Sequence, residues 1–432
     1  VKKCKSVEIL KDIIIVLLIA SALFLGWESK LFGNSSVGAG GIAALFRGMS
    51  GAPAVNSPDA PPKAAEPDRP AAIAVTGGDG SRCGEKYDMG QLDLLYNGTA
   101  RYFSEALGTA KEAEPTDAAA WRSALTSAGV YYEYISPVKL SILGDWFDAD
   151  VTGDLGNMSV RRLCVTANGE KTRLFFQNDK TGVYYSVGTS VRGSIMDASK
   201  DYTANGAVFS FEKGVDSWAP GTLLLPEITA HPQLEVENPL NDNAKKDAVL
   251  LSLGVSDLGK SSYKSGDREY FVGEDFTLDV SADGTVNYDW TGDEPQAAGS
   301  TDNESDAIQK AYRMVSAQLG NCGENAAVYY DSSSALGSGG YKVLFRYIAA
   351  GGAVWLYGDG YAASVIVKGG RITGMTLRFR TYTDSTATEL MPELQAAAAA
   401  KGDFMLVYRD NGDTDAGSAL LQPAWVHLPL GT

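Results

Sequence analysis

The sequence predicts an α+β protein: an N-terminal transmembrane helix, then an α+β domain, then two smaller units, each a helix packed on an antiparallel sheet. Three observations predict it. Residues 13–27 (IIIVLLIASALFLGW) hold no charged side chain and follow a lysine-rich start. Beyond residue 70, apolar residues recur at helical spacing in some segments and at strand spacing in others. In two places one helix is followed by a run of short strands, separated by Asp-Gly or Gly-Gly turns of the kind that close hairpins.

The apolar run comes first in the chain. Lys2, Lys3, Lys5 and Lys11 precede it against Glu8 and Asp12, and Glu28 and Lys30 close it. A helix that crosses the hydrocarbon core needs about 20 apolar residues. Residues 1–32 are therefore read as a cytoplasmic tail and anchor. Lys11, Glu28 and Lys30 snorkel at its ends, and Leu31 and Phe32 extend the apolar surface. Trp27 suits the membrane interface, and the lysine excess places the N-terminus inside, which leaves the main domains extracytoplasmic. Ala20, Ser21, Ala22 and Gly26 offer a small-residue face for helix packing in lipid, with Ala22 and Gly26 four apart. The competing reading is a cleaved signal peptide. Ala20-Ser21-Ala22 has the small-x-small form, but the apolar core would then be only residues 13–19.

Composition narrows the function classes. The 432 residues are 44% apolar, enough for real cores, and the net charge is −16. Residues 1–11 carry +3, so the rest of the chain carries −19. Such a surface repels nucleic acid and anionic headgroups. Of the cysteines, Cys4 lies on the cytoplasmic side; Cys83, Cys164 and Cys322 are an odd number with no CxxC, so no disulfide framework is expected.

Residues 33–70, rich in Gly, Ala, Ser and Pro, read as a linker that cannot bury enough to order itself. The N-terminal α+β domain spans residues 71–225. Leu92, Leu95, Tyr96, Thr99, Phe103, Ala106 and Leu107 follow the helical repeat. A second helix is expected after a Thr116 N-cap, with Asp117 favouring its positive start and Trp121, Leu125 and Ala128 on one face. Residues 130–135 read as a strand and 140–147 as a short helix. Residues 161–165 and 172–177 flank an Asn168-Gly169 hairpin turn, and 182–188 and 207–211 add strands. A Pro-punctuated passage (Pro220, Pro226, Pro232, Pro239) marks a boundary. The middle unit, residues 226–300, has a helix over 242–253 and strands at 270–271, 276–280 and 286–290, the last two joined by Asp283-Gly284. The C-terminal unit, residues 301–432, has a helix with Ile308, Ala311, Tyr312, Val315 and Leu319 on one stripe, capped from Thr301 or Ser305. Strands are expected at 326–330, 342–348, 354–357, 363–367 and 376–382. The helix-then-meander order of both units suggests two copies of one supersecondary unit.

Several segments resemble the YycH/YycI family: the anchor, residues 87–107 (YDMGQLDLLYNGTARYFSEAL), 121–125, 130–141 (VYYEYISPVKLS), 223–240 with Asn238-Pro239-Leu240, and the helix and meander through residues 341–382. The resemblance implies a single-pass, extracytoplasmic regulator of the cell-wall sensor histidine kinase of a two-component system in Gram-positive bacteria. It implies contacts with that kinase, with the bilayer, and with a paralogous regulator of the same family. It brings no catalytic residues, cofactor or metal. The long Ala/Pro linker and the four cysteines depart from the family pattern.

Chemistry elsewhere is sparse. His231 and His427 lie far apart, each near prolines, and read as loop histidines. Ser-x-x-Lys occurs at Ser136/Lys139, Ser210/Lys213 and Ser261/Lys264, but the catalytic form needs Ser to open a helix; Ser136 follows a strand and Ser210 sits in one. The run from Asp148 to Asp154 begins like a calcium loop but has Ser159 where a bidentate Glu belongs, and the acidic turn 410–415 has no matching ligand set. Alternating Val354-Trp355-Leu356-Tyr357 fits a small strand core or the wall of a groove. The alternative to a kinase regulator is an extracytoplasmic module that binds cell-wall polymer or peptide without a kinase partner.

Overall fold

The wholly buried strand Ala72–Thr76 (β1) and the alternating strand Arg82–Glu85 (β2) open the structure, a computed structural model that describes residues 69–168, 171–192, 194–215, 221–255, 261–292, 303–400, 404–412 and 419–427. The apolar run with Ala20, Ser21, Ala22, Gly26 and Trp27 lies outside the described residues, as do nearly all of the 33–70 passage, Gly169, Pro220, Thr301 and the Asp413–Asp415 end of the acidic turn. Among the described residues no helix is long and apolar enough to cross a membrane.

The fold is α+β, as expected. Helix α1 (Met89–Thr109) is capped by Asp88, whose carboxylate accepts the Gln91 N–H, and it buries the predicted face. Strand β3 (Ala113–Thr116) carries Pro115 at a sheet edge, where a missing N–H costs no ladder bond. Helix α2 (Ala118–Thr126) is capped by Asp117, which accepts from Ala120 N at 2.8 Å. This corrects the Thr116 assignment: Thr116 is held in β3, and the next carboxylate both caps the helix and meets its positive end. Strand β4 (Gly129–Lys139), helix α3 (Leu140–Trp146), the single turn α4 (Gly153–Gly156) and strands β5 (Ser159–Asn168), β6 (Lys171–Gln177) and β7 (Tyr184–Thr189) follow.

Among the described residues these strands form a seven-stranded antiparallel sheet in the order β2-β1-β4-β5-β6-β7-β3. Both faces of β4 are covered. Tyr132 stacks on Phe103 of α1, ring centroids 4.0 Å apart, while Tyr131 joins Trp121 of α2 in a second apolar cluster. A run of aromatic residues with no polar alternation is what a strand sandwiched on both faces requires.

Val208–Phe209 (β8) pairs with Leu223–Leu224 (β9). The strand expected at 207–211 ends early, because Ser210–Lys213 winds into a 3-10 turn whose Glu212 accepts the Phe209 N–H. The Pro-punctuated passage contains a strand, β10 (Ala230–Glu237), which the prolines conceal. Pro232 sits at the register shift of its pairing with β20 (Thr381–Glu389), beyond the reach of its other neighbour, β22 (Ala419–Leu421). Proline is tolerated at such a bulge.

The rest builds the larger sheet. Helix α5 (Asn243–Ser252) precedes the meander β11 (Ser261–Ser265), β12 (Arg268–Val272), β13 (Phe276–Ser281) and β14 (Thr285–Trp290). Helix α6 (Glu304–Leu319) precedes β15 (Ala326–Ala335), β16 (Tyr341–Ala349), β17 (Gly352–Leu356), β18 (Ala363–Lys368) and β19 (Arg371–Arg378). Asn303, not Thr301 or Ser305, caps α6 by accepting the Ser305 N–H. The first unit is a helix followed by four strands and the second a helix followed by five, of which β15, β16, β18 and β19 are successive neighbours; the last strands of the two units, β14 and β19, pair antiparallel from Thr285↔Arg378 to Asp289↔Gly374. That pairing joins the strands of residues 261–290 and 326–378 in one continuous sheet. Both helices lie on the same face, where Ser252 of α5 bonds Gln318 of α6 at 3.0 Å. The strand expected over 376–382 is two strands: the chain leaves β19 at Phe379 and enters β20 in a different sheet, with Arg380 buried at the corner. Helix α7 (Glu393–Ala399), β21 (Phe404–Asp410), β22 and β23 (Pro423–His427) complete the chain, with β21 parallel to β17.

Candidate functional site

Where β4 ends against the larger sheet, a cleft of about 520 Å³ opens, within the range of small-ligand sites. Its walls come from β4 (Ser136), β15 (Asp331), β16 (Arg346), β17, the turn 357–360 and β21 (Arg409, Asp410). Along β17 strand alternation sends Val354 and Leu356 into the core and leaves Trp355 half-buried at the cleft, with Tyr357 just beyond. The groove reading of that segment therefore describes its outer face and the core reading its inner face.

The cleft is electrostatically ordered. Arg346 Nε meets Asp331 Oδ1 at 3.0 Å, and Arg378 Nη1 meets Asp359 Oδ1 at 2.8 Å. Behind the wall, Arg380 Nε meets Asp410 Oδ2 at 3.0 Å. Burial alone would lower the Arg380 pKa, but the Asp410 carboxylate and the surrounding tyrosines raise it. Tyr357 lies over both Arg378 and Arg380, and burial raises its phenol pKa. Arg409 differs from these three guanidinium groups. It is exposed, lies 5.0 Å from the centre of the Trp355 ring, and has no carboxylate partner among the described residues.

The family models yield no match to this chain, and neither do the curated proteins. Among solved structures, YycH from Bacillus subtilis superposes with a TM-score of 0.50 at 12% identity, over 84% of this chain and 95% of that one.

The fold is YycH-like.

Within this YycH-like fold a second polar cluster ties helix α7 to the segments that follow β2 and β9. Glu393, fully buried at the start of α7, accepts from Lys86 Nζ next to β2 and from Leu225 N at 2.6 Å. Beside it His231 lies in β10, not in a loop. It packs edge-on against Tyr87 at 4.8 Å and Trp425 at 5.6 Å, and its Nε2 has no partner among the described residues. Burial first, and the Lys86 charge second, push its pKa down to about 4. His427 is exposed in β23.

The Ser-x-x-Lys matches come apart in three dimensions. Ser136 lies in β4 and donates to Asp331 at 3.3 Å, while Lys139 bonds Glu304. Ser261 and Lys264 lie in β11. Ser210 opens the 3-10 turn instead of sitting in a strand, but it is buried and Lys213 is exposed. Cys83, Cys164 and Cys322 are free thiols, and burial pushes Cys322 up to about 12. Among the described residues no three His, Cys, Asp or Glu side chains converge as a metal site would need. The residues that sequence reasoning missed are Asp331, Arg346, Asp359 and Arg409. Alternation at Trp355 and Tyr357 was the available signal for one wall; the others come from distant strands.

Proposed function

We propose that this chain is a membrane-anchored, extracytoplasmic regulatory protein that modulates a membrane sensor histidine kinase by direct contact and without catalysis. The YycH-like fold over most of the chain carries this reading, and the uncharged run at residues 13–27 and the family resemblance support it. Residues 1–32 hold the chain in the bilayer, residues 33–70 span the gap, and the units at 71–225, 226–300 and 301–432 face outward. A paralogous regulator is a second partner. Coupling is physical: the chain shifts the kinase only if it binds one of its conformations more tightly than the other. In lipid the contact is made through Ala20, Ser21, Ala22 and Gly26, where small side chains let backbones approach, with Trp27 at the interface.

Replacing Ala22 and Gly26 together with Leu is expected to weaken kinase association by on the order of 1 kcal/mol, about fivefold in co-purified kinase, with membrane levels of the chain unchanged. Unchanged co-purification would reject this helix face as the contact.

A further inference from the structure

The geometry points to the cleft beside Trp355 as a binding site for a short peptide with a free C-terminal carboxylate. Among the described residues four guanidinium groups lie in or just behind this wall. Three are neutralised: Arg346 by Asp331, Arg378 by Asp359 and Arg380 by Asp410. The fourth, Arg409, meets the face of Trp355 and has no carboxylate partner among the described residues. That leaves its planar donor fork, already oriented by the ring, for a carboxylate, which it matches with two parallel bonds.

The cleft also has an uncommitted acceptor. Asp359 gives Oδ1 to Arg378 and to the Tyr361 N–H at 3.3 Å, while its Oδ2 has no hydrogen bond among the described residues and its side chain is 45% exposed. An ionised carboxylate accepts at both oxygens, so Oδ2 calls for N–H donors. A cation and a carboxylate oxygen that both lack a partner among the described residues, in the same cleft, fit a ligand that carries a carboxylate together with amide or ammonium N–H groups. A peptide supplies both. Trp355 and Met405 add apolar surface for its side chains. In the turn 357–360, Gly358 and Gly360, at φ 77° and 83°, bring no side chain of their own to the rim. The inference needs no kinase partner and stands or falls separately from the regulatory reading.

The test is a titration of the full chain in detergent with trialanine and, in parallel, with trialaninamide, which differs only in lacking the carboxylate charge. Saturable binding of trialanine is expected, at least about tenfold tighter than the amide, because a charge-assisted pair is lost with the amide. Arg409→Gln should erase that difference and Arg409→Lys should keep part of it. Arg409 is exposed, so both variants should keep the parent's unfolding midpoint. Absence of saturable binding up to about 10 mM, equal binding of acid and amide, or an unaltered preference in Arg409→Gln would each overturn the site.

Discussion

Arg380→Ala is expected to destabilise the protein by about 3–5 kcal/mol, the usual cost of leaving one member of a buried ion pair without its partner. Arg380 is 1% exposed and Asp410 2%. Besides Asp410, the guanidinium donates through Nη1 to Asp283 O at 2.6 Å and Phe379 O at 2.8 Å, and it lies against the ring of Tyr357. It thus ties together the Asp283-Gly284 hairpin of the middle unit, the corner between β19 and β20, and the end of β21. Asn238 reinforces the same joint by donating to Ala282 O at 2.9 Å. Gly284 permits the approach, since its φ is 83° and a Cβ there would fall 2.6 Å from Asn238 Oδ1. Urea unfolding of the full chain in detergent measures the loss. Pairing the change with Asp410→Asn should recover a substantial part of it, because the uncompensated charge is then gone. A loss below about 1 kcal/mol for Arg380→Ala would show that the joint does not depend on this ion pair.

The second large effect is acid sensitivity at His231. Its folded pKa, about 4, lies below the ordinary value of 6.5. Between those values the unfolded chain binds the proton and the folded chain does not, so stability falls as pH falls through that window and levels off below it. The difference corresponds to about 3 kcal/mol between pH 6.5 and pH 4. The cause is burial against Tyr87 and Trp425 with Lys86 nearby, opposed in part by Glu389. His231→Phe preserves the edge-on ring packing and removes the titration. Its unfolding free energy should lose that part of the acid slope; an identical slope in parent and variant would mean that His231 is not the group responsible.

Local structure was legible where one period or one turn decides it. Leu92 to Leu107 and Ile308 to Leu319 repeat at helical spacing, and the faces they define are buried. Asp283-Gly284 and Gly369-Gly370 mark hairpins that form. The errors have physical sources. Pro232 signals a break, yet a bulge accommodates it inside β10. Residues 376–382 look like one strand because Phe379 and Tyr382 are apolar, but at the turn between sheets Arg380 bonds Asp410 and the Asp283 carbonyl. Caps fell one or two residues from their expected places where adjacent Asp, Asn, Ser or Thr compete for the same N–H groups. The pairing of β14 with β19 spans nearly ninety residues of chain, and no local pattern encodes it. The same holds for the cleft, whose walls meet only after both sheets have formed.

The proposed function depends most directly on which side of the membrane the body of the chain occupies. An epitope fused after Thr432, followed by protease treatment of intact protoplasts carrying the full chain, reads this out. Outward placement predicts that the epitope is lost while a cytoplasmic marker survives. An epitope that stays protected until the membrane is broken would place residues 69–432 inside and contradict a regulator working beyond the bilayer.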